Sequence, residues 1–334
     1  MRIAIRRASR NALLGALALV ASALPAGAQS TSLDELVSAV VRIKTHINAD
    51  GRTVENLGRS REGSGIVIDQ SGLVLTIGYL MVEAFAAEVM TNDGRTVPAD
   101  IVGYDHESGF GLLRTSAPLK LKPLAIGSSA DVKVRDPVLI ASFGGTAMVR
   151  PVFVVSKREF AGSWEYLLDE AIFTAPPHPT WSGAALISRD GKLVGVGSLI
   201  VPDAAAGGEP VPGNMFVPID RLGPILGDLL ADGRADGEGR PWLGLNTVEV
   251  GGRLLVSKVT PSGPAEKAGL ARGDIIVGVN GERTDGLADF YRKVWARGRA
   301  GTVIPLDFER GGAERRIEVP SINRLDHLKL KSTL

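Results

Sequence analysis

Short apolar, β-branched runs follow one another between Ala39 and Val217, broken by turn residues roughly every eight to twelve positions. Ala39-Val40-Val41-Arg42-Ile43-Lys44, Ile66-Val67-Ile68 and Leu73-Val74-Leu75-Thr76 come first, then residues 86–91, 97–102 and 111–114. After the connection at 118–123 a second series runs through 137–142, 152–155, 172–174, 186–187 and 192–201. Helical stretches between consecutive strands would be needed for β-α-β units, and they are missing here. The rhythm therefore predicts an all-β barrel or a pair of barrels. Ser32-Leu33-Asp34-Glu35 is a capping box that should start a short helix at Ser32. The polar stretch from Asn48 to Glu62, with Gly51 and Gly58, reads as a mobile surface loop. Residues 219–230 read as an amphipathic helix that closes the β region.

Beyond that helix the composition changes. Residues 231–240 are small, polar and glycine-rich and read as a linker. From Pro241 the pattern restarts over roughly eighty to ninety residues, enough for one small domain. At the other end, Arg2, Arg6, Arg7 and Arg10 precede an apolar run from Asn11 to Pro25 and an Ala26-Gly27-Ala28 cleavage site. This predicts a signal peptide over 1–28, Sec export, and a mature chain from about Gln29. The apolar run is too short for a membrane span, and no other stretch is long enough for one. The 334-residue chain has no cysteine, which excludes thiol nucleophiles, thiolate metal sites and disulfides. A net charge of +1 gives no reason to expect nucleic acid as a partner. No H-E-x-x-H spacing or phosphate-binding glycine loop is present, so neither a metal nor another cofactor is expected.

Ser182-Gly183 sits just before the apolar strand Leu186-Ile187 and the turn Ser188-Arg189-Asp190-Gly191. A tight loop of this kind can present a nucleophilic serine with backbone N–H groups behind it. Ordinary turn chemistry is the other explanation of a Ser-Gly step. Around this serine, several segments fall in a telling order. Gly63-Ser64-Gly65-Ile66-Val67-Ile68-Asp69 is followed by Gly72-Leu73-Val74-Leu75-Thr76, then Ile101-Val102-Gly103-Tyr104-Asp105 and Thr180 to Leu186. Gly191-Lys192-Leu193-Val194-Gly195-Val196 and Asn214-Met215-Phe216-Val217-Pro218-Ile219 complete the set. Trp242-Leu243-Gly244-Leu245, Val259 to Leu270 and Gly273 to Gly281 form a second group. Taken together the chain resembles the HtrA/Deg family, exported trypsin-like serine proteases followed by a PDZ domain. The resemblance implies a mainly β fold, a trypsin-like double β-barrel over 29–230. A linker over 231–240, a small α/β PDZ domain over 241–322 and a tail over 323–334 would follow.

The resemblance also shows where the chain departs from the family. Tyr79 falls at the position of the catalytic histidine, and a phenol with pKa near 10 is a poor general base. Gly109 falls at the position of the orienting aspartate. Thr180 and Ser182 fall at the oxyanion-hole positions, with Pro176-Pro177-His178-Pro179 stiffening the approach. Of the four histidines (His46, His106, His178 and His327), His178 and His106 could approach the serine if the loops rearranged but read as surface-loop residues, and Lys157 reads as a solvated lysine. In the second domain, Trp242, Leu243, Gly244 and Leu245 resemble a carboxylate-binding loop whose N–H groups receive a peptide C-terminus. Phe290 and Val294, on a helix over 287–295, are candidates for the opposite groove wall. Two readings follow. One is an inactive pseudoprotease that binds unfolded or C-terminal segments of envelope proteins in the periplasm, as a quality-control factor or adaptor. The other is an active serine endopeptidase that uses Ser182 with an unorthodox base. A homotrimer, or association with an active homologue, is implied by the resemblance alone.

Overall fold

A computed structural model describes residues 32–330 except 206 and 236–238; the expected signal peptide and residues 331–334 of the tail lie outside the described residues. Helix α1 (Leu33–Ser38) begins where the capping box places it, with the Ser32 hydroxyl accepting the Glu35 N–H at 3.2 Å. It leads into β1 (Val40–Ile47), and after α2 (Val54–Leu57) come β2 (Ser60–Val67) and β3 (Leu73–Ile77). Strands β4 (Ala84–Met90), β5 (Thr96–Tyr104) and β6 (Phe110–Thr115) finish the first closed barrel, in the order β1-β2-β3-β6-β5-β4. Its interior is filled by Ile43, Ile66, Leu75, Leu112 and their neighbours, all fully buried.

Residues 48–62 are not the mobile loop their polarity suggests. They form α2 and the start of β2, which pairs with β1 as far out as His46. Their polar groups are used internally. The Glu83 carboxylate accepts the N–H groups of Arg52, Thr53 and Lys329, and the Thr53 hydroxyl. Arg61 donates to the carbonyls of Tyr79 and Val82 and to Thr53 Oγ1. Burial of its guanidinium lowers the Arg61 pKa to about 10, against the pull of Glu83. A local reading of the sequence cannot see this, because Glu83 lies far along the chain.

The second closed barrel is built from β7 (Pro137–Ala141), β8 (Val149–Gly162), β9 (Tyr166–Ala175), β10 (Ala185–Ile187), β11 (Leu193–Val201) and β12 (Gly213–Pro218). They are ordered β10-β11-β12-β9-β8-β7. The β8–β9 hairpin is far longer than the runs at 152–155 and 172–174 predict. Its pairing continues, through two bulges, out to Gly162 opposite Tyr166. Helix α3 (Gly223–Asp232) then closes this half, ending on Gly233 in the left-handed region.

The C-terminal sheet runs β13 (Leu245–Val250), β14 (Arg253–Val259), β15 (Ile275–Val279), β17 (Val303–Arg310) and β18 (Ala313–Pro320), with β16 (Glu282–Arg283) pairing β15. Helices α4 (Pro264–Ala268) and α5 (Leu287–Trp295) accompany it, and α6 (Arg324–His327) follows. Strand β13 is an edge of the sheet. Leu243, Val256, Phe290, Tyr291, Ile304 and Val319 are among the residues of its core. Leu167, from the far end of the β8–β9 hairpin, belongs to that same core. Barrels and C-terminal sheet form one compact unit. Among the described residues, no helix is long and apolar enough to cross a membrane.

Candidate catalytic cleft and peptide groove

The strand order brings Tyr79 and Ser182 together. Tyr79 lies in the 3-10 turn Gly78–Leu80 after β3, and Ser182 in the loop before β10. Tyr79 Oη is 2.6 Å from Ser182 Oγ and donates its proton to the Ser198 carbonyl at 2.8 Å. A phenol has one proton, so Ser182 is the donor to the phenol oxygen. Burial pushes the Tyr79 pKa up to about 12, so the group stays neutral and has little tendency to take a proton from serine.

Gly109 sits at the start of β6 with φ +82°, its carbonyl accepting the Gly78 N–H at 2.7 Å. A Cβ there would meet Tyr166 Oη at 3.2 Å. The nearby Asp105 carboxylate is spent on its own turn, accepting the N–H groups of Glu107 and Ser108. Among the described residues, none of the four histidines hydrogen-bonds Ser182.

Two expectations about the serine loop are corrected here. The Thr180 N–H, expected at the oxyanion hole, donates instead to His178 Nδ1 at 3.2 Å. Thr180 Oγ1 lies 3.1 Å from the same nitrogen and 2.7 Å from Ser142 Oγ. His178 is not a surface histidine: it is 3% exposed. Its Nε2 faces the Met148 carbonyl at 3.2 Å, and its N–H donates to Asn214 Oδ1 at 2.6 Å. A buried Asn214 needs partners, and the His178 backbone supplies them. Burial lowers the His178 pKa, so the ring is a neutral acceptor at Nδ1.

The other candidate bases are also engaged. Lys157 is not solvated; it donates to the Ser129 carbonyl at 3.0 Å and pairs with Glu170 at 2.9 Å. His106 is held between Tyr104 Oη and Arg324, and burial with the adjacent Arg324 charge keeps it neutral. His46 is half-buried beside Phe85, and His327 packs on Trp242 at 4.8 Å between ring centres. Beside Ser182 a cavity of about 330 Å³ is lined by Arg42, Glu62, Ser142, Phe143 and Trp181.

Gly183 fixes the loop. Its φ is +71°, and a Cβ would lie 1.9 Å from the Ser64 carbonyl oxygen. Ser64 also donates its N–H to the Ser182 carbonyl at 2.8 Å, so the loop is clamped to β2. Gly183→Ala is expected to lower stability by about 3 kcal/mol or more, read from the shift in denaturant midpoint at constant slope.

The loop expected to receive a peptide carboxylate already holds one from its own chain. Glu165, in the turn of the β8–β9 hairpin, accepts the N–H groups of Leu243 at 2.9 Å, Gly244 at 2.7 Å and Leu245 at 2.9 Å. Gly244 has φ +81°, which turns its amide toward that oxygen. Thr247 of the edge strand β13 donates to the Ser163 carbonyl at 2.9 Å. Phe290 and Val294 are not open groove walls; both are core residues, 0% and 1% exposed. Tyr291 is the α5 side chain bonded to the hairpin, its hydroxyl donating to the Gly162 carbonyl at 2.7 Å and accepting the Glu165 N–H at 3.2 Å. Neither Glu165 nor Tyr291 is singled out by the sequence, because each acquires its role only from the other's domain. No group of acidic and histidine residues suited to a metal ion occurs among the described residues.

Two six-stranded barrels with a serine in the cleft, followed by a PDZ-type sheet and helix, define a trypsin-like peptidase fold with an appended PDZ domain. Profiles of known families agree: a trypsin-like peptidase domain matches residues 63–196 and a PDZ domain residues 241–320. The chain belongs to the HtrA/Deg family. It is 28% identical to serine protease PepD of Mycobacterium tuberculosis, over 90% of this chain and 67% of the relative. It is 31% identical to Protease Do-like 1, chloroplastic, of Arabidopsis thaliana, over 77% of this chain and 62% of the relative. With the periplasmic pH-dependent serine endoprotease DegQ of Escherichia coli it shares 29%, over 77% and 58%. The chain thus spans about three-fifths to two-thirds of these relatives' lengths. Among solved structures, the HtrA-type protease AlgW with decapeptide superposes with a TM-score of 0.51 at 21% identity, over 88% of this chain and 99% of that one. The serine endoprotease from Yersinia pestis gives 0.50 at 24%, over 87% and 98%.

Proposed function

We propose that this protein is an exported, envelope-located member of the family that binds peptide segments or C-termini through its PDZ domain over 241–322 and does not hydrolyse them. The barrels over 29–230 then serve as a scaffold, joined by the linker 231–240 and followed by the tail 323–334. One observation supports the loss of catalysis above the others: the only side chain hydrogen-bonded to Ser182 among the described residues is the neutral phenol of Tyr79. With Gly109 in place of an orienting carboxylate, nothing beside the serine can accept its proton. The relative DegQ named as periplasmic supports the envelope location, and the peptide-bound AlgW structures support peptide as the ligand class. Assembly as a homotrimer, or with an active homologue, is part of the same proposal.

A second reading keeps Ser182 as the nucleophile of an endopeptidase with an unorthodox base. It is favoured by the relatives named as proteases and by a serine loop still clamped in place by Gly183. A fluorophosphonate probe separates the two. Wild type and Ser182→Ala are expected to label equally poorly and to leave casein intact. Labelling of wild type but not of Ser182→Ala, together with casein cleavage, would overturn the non-hydrolytic reading.

A further inference from the structure

We propose that the tip of the β8–β9 hairpin is a built-in occupant of the PDZ groove, with the Glu165 carboxylate standing where a peptide's terminal carboxylate would sit, so that C-terminal peptides bind only by displacing it. The proposal rests on the reading of that groove as a site for peptide C-termini.

The tip, a turn over residues 163–165, reproduces two contacts of an added strand ending in a carboxylate. On an edge strand, alternate residues turn their N–H groups outward. On β13 those of Leu245 and Thr247 both bond the hairpin tip, one to Glu165 Oε1 and the other to the Ser163 carbonyl. Ser163 lies two residues before Glu165, so backbone and carboxylate enter the groove in the order a C-terminal peptide would present them. Leu243 and Gly244 complete a three-donor cradle around a carboxylate that is itself buried, Glu165 being 4% exposed.

The hairpin is also held by its main chain and by the Leu167 side chain, buried in the C-terminal core. Tyr291 bonds the backbone at Gly162 and Glu165, and Arg324 donates to the Trp164 carbonyl at 3.1 Å. Glu165 adopts φ +58°, a left-handed conformation that costs a non-glycine residue about 1 to 2 kcal/mol. The Glu165 side chain is the element of the hairpin that meets the N–H cradle, so its removal should weaken occupancy of the cradle while the other contacts keep the hairpin in place.

The test uses the full chain and a pool of fluorescent heptapeptides randomised in sequence with free C-termini, alongside the same pool amidated. Binding is followed by anisotropy and amide exchange by mass spectrometry. Glu165→Ala is expected to bind the free-acid pool at least tenfold more tightly than wild type, with faster exchange at 243–247. Glu165→Leu, which keeps comparable side-chain bulk but offers no acceptor to the three N–H groups, should move in the same direction and guards against loss of the hairpin in the alanine variant. Equal binding by wild type and both variants, with exchange unchanged, overturns the occupant and leaves peptide binding standing. Faster exchange in the variants with no binding by any of the proteins keeps the occupant and overturns the peptide reading. No binding and no change in exchange overturns both.

Discussion

A chain carrying Tyr79→His, Gly109→Asp and Thr180→Gly together is expected to hydrolyse casein at least about 10³-fold faster than wild type, while Tyr79→His alone stays near baseline. The imidazole supplies a base of suitable pKa within reach of Ser182, since Tyr79 already lies 2.6 Å from Oγ. Without a carboxylate its tautomer is not fixed, and loss of that partner costs about 10⁴-fold in a working triad. At position 109 aspartate must accept φ +82° and a Cβ 3.2 Å from Tyr166 Oη, a cost of about 1 to 2 kcal/mol that aspartate tolerates better than most residues. The third change addresses a different defect. Threonine holds its N–H against His178, away from the oxyanion position, and one lost oxyanion donor is worth about 10² to 10³. Reverting Ser182 to alanine in the triple variant must abolish the gain. A gain that survives that reversion would place the chemistry elsewhere.

The ordering of these effects follows what a linear sequence can and cannot convey. Tyr79 and Gly109 are visible as departures because they sit in recognisable strand contexts, β3 and β6, whose apolar patterns survive intact. The strand rhythm is legible for the same reason, in six runs of the first barrel and five of the second, because short apolar runs are separated by turns that carry glycine or charged residues. The state of Thr180 is not legible. It depends on the buried His178, and that burial depends on Asn214, over thirty residues later on β12. The outer half of the β8–β9 hairpin was hidden by its polar residues. Lys157, Arg158 and Glu159 resemble a surface loop until Ser129, Glu170, Asp203 and Arg292 are seen to partner them. Glu165 is the extreme case. As one glutamate in a turn it signals nothing, and its function appears only when three N–H groups converge on it from eighty residues away.

Peptide binding by wild type is expected to strengthen by up to about two orders of magnitude between pH 5 and pH 8, and Glu165→Ala should lose that dependence. Burial pushes the Glu165 carboxyl from the ordinary 4.5 up to about 7, although the N–H groups of Leu243, Leu245 and Gly244 and the charge of Arg324 pull it down. With the hairpin displaced, the same side chain is exposed and returns to its ordinary value. The closed state therefore holds the proton more tightly than the open one. Its stability is complete below about pH 4.5, falls as pH rises, and levels off above about pH 7. The difference of about 2.5 pKa units, from 4.5 to about 7, corresponds to a change of about 300-fold in the closing equilibrium over the full range, of which up to about two orders of magnitude fall between pH 5 and pH 8.

The groups facing Glu165 do not titrate against this trend. Burial raises Tyr291 and Tyr166 above the range, and burial with the adjacent Arg324 charge holds His106 neutral. A peptide's own terminal carboxylate, with a pKa of about 3.5, is ionised over the whole interval. Glu107, which burial also raises and which pairs with Arg240 at 2.9 Å, is the one neighbouring carboxyl able to mimic the effect. Glu107→Gln should leave the profile unchanged. Binding that weakens from pH 5 to pH 8 in wild type would mean that the N–H cradle stabilises the ionised carboxylate more than burial penalises it.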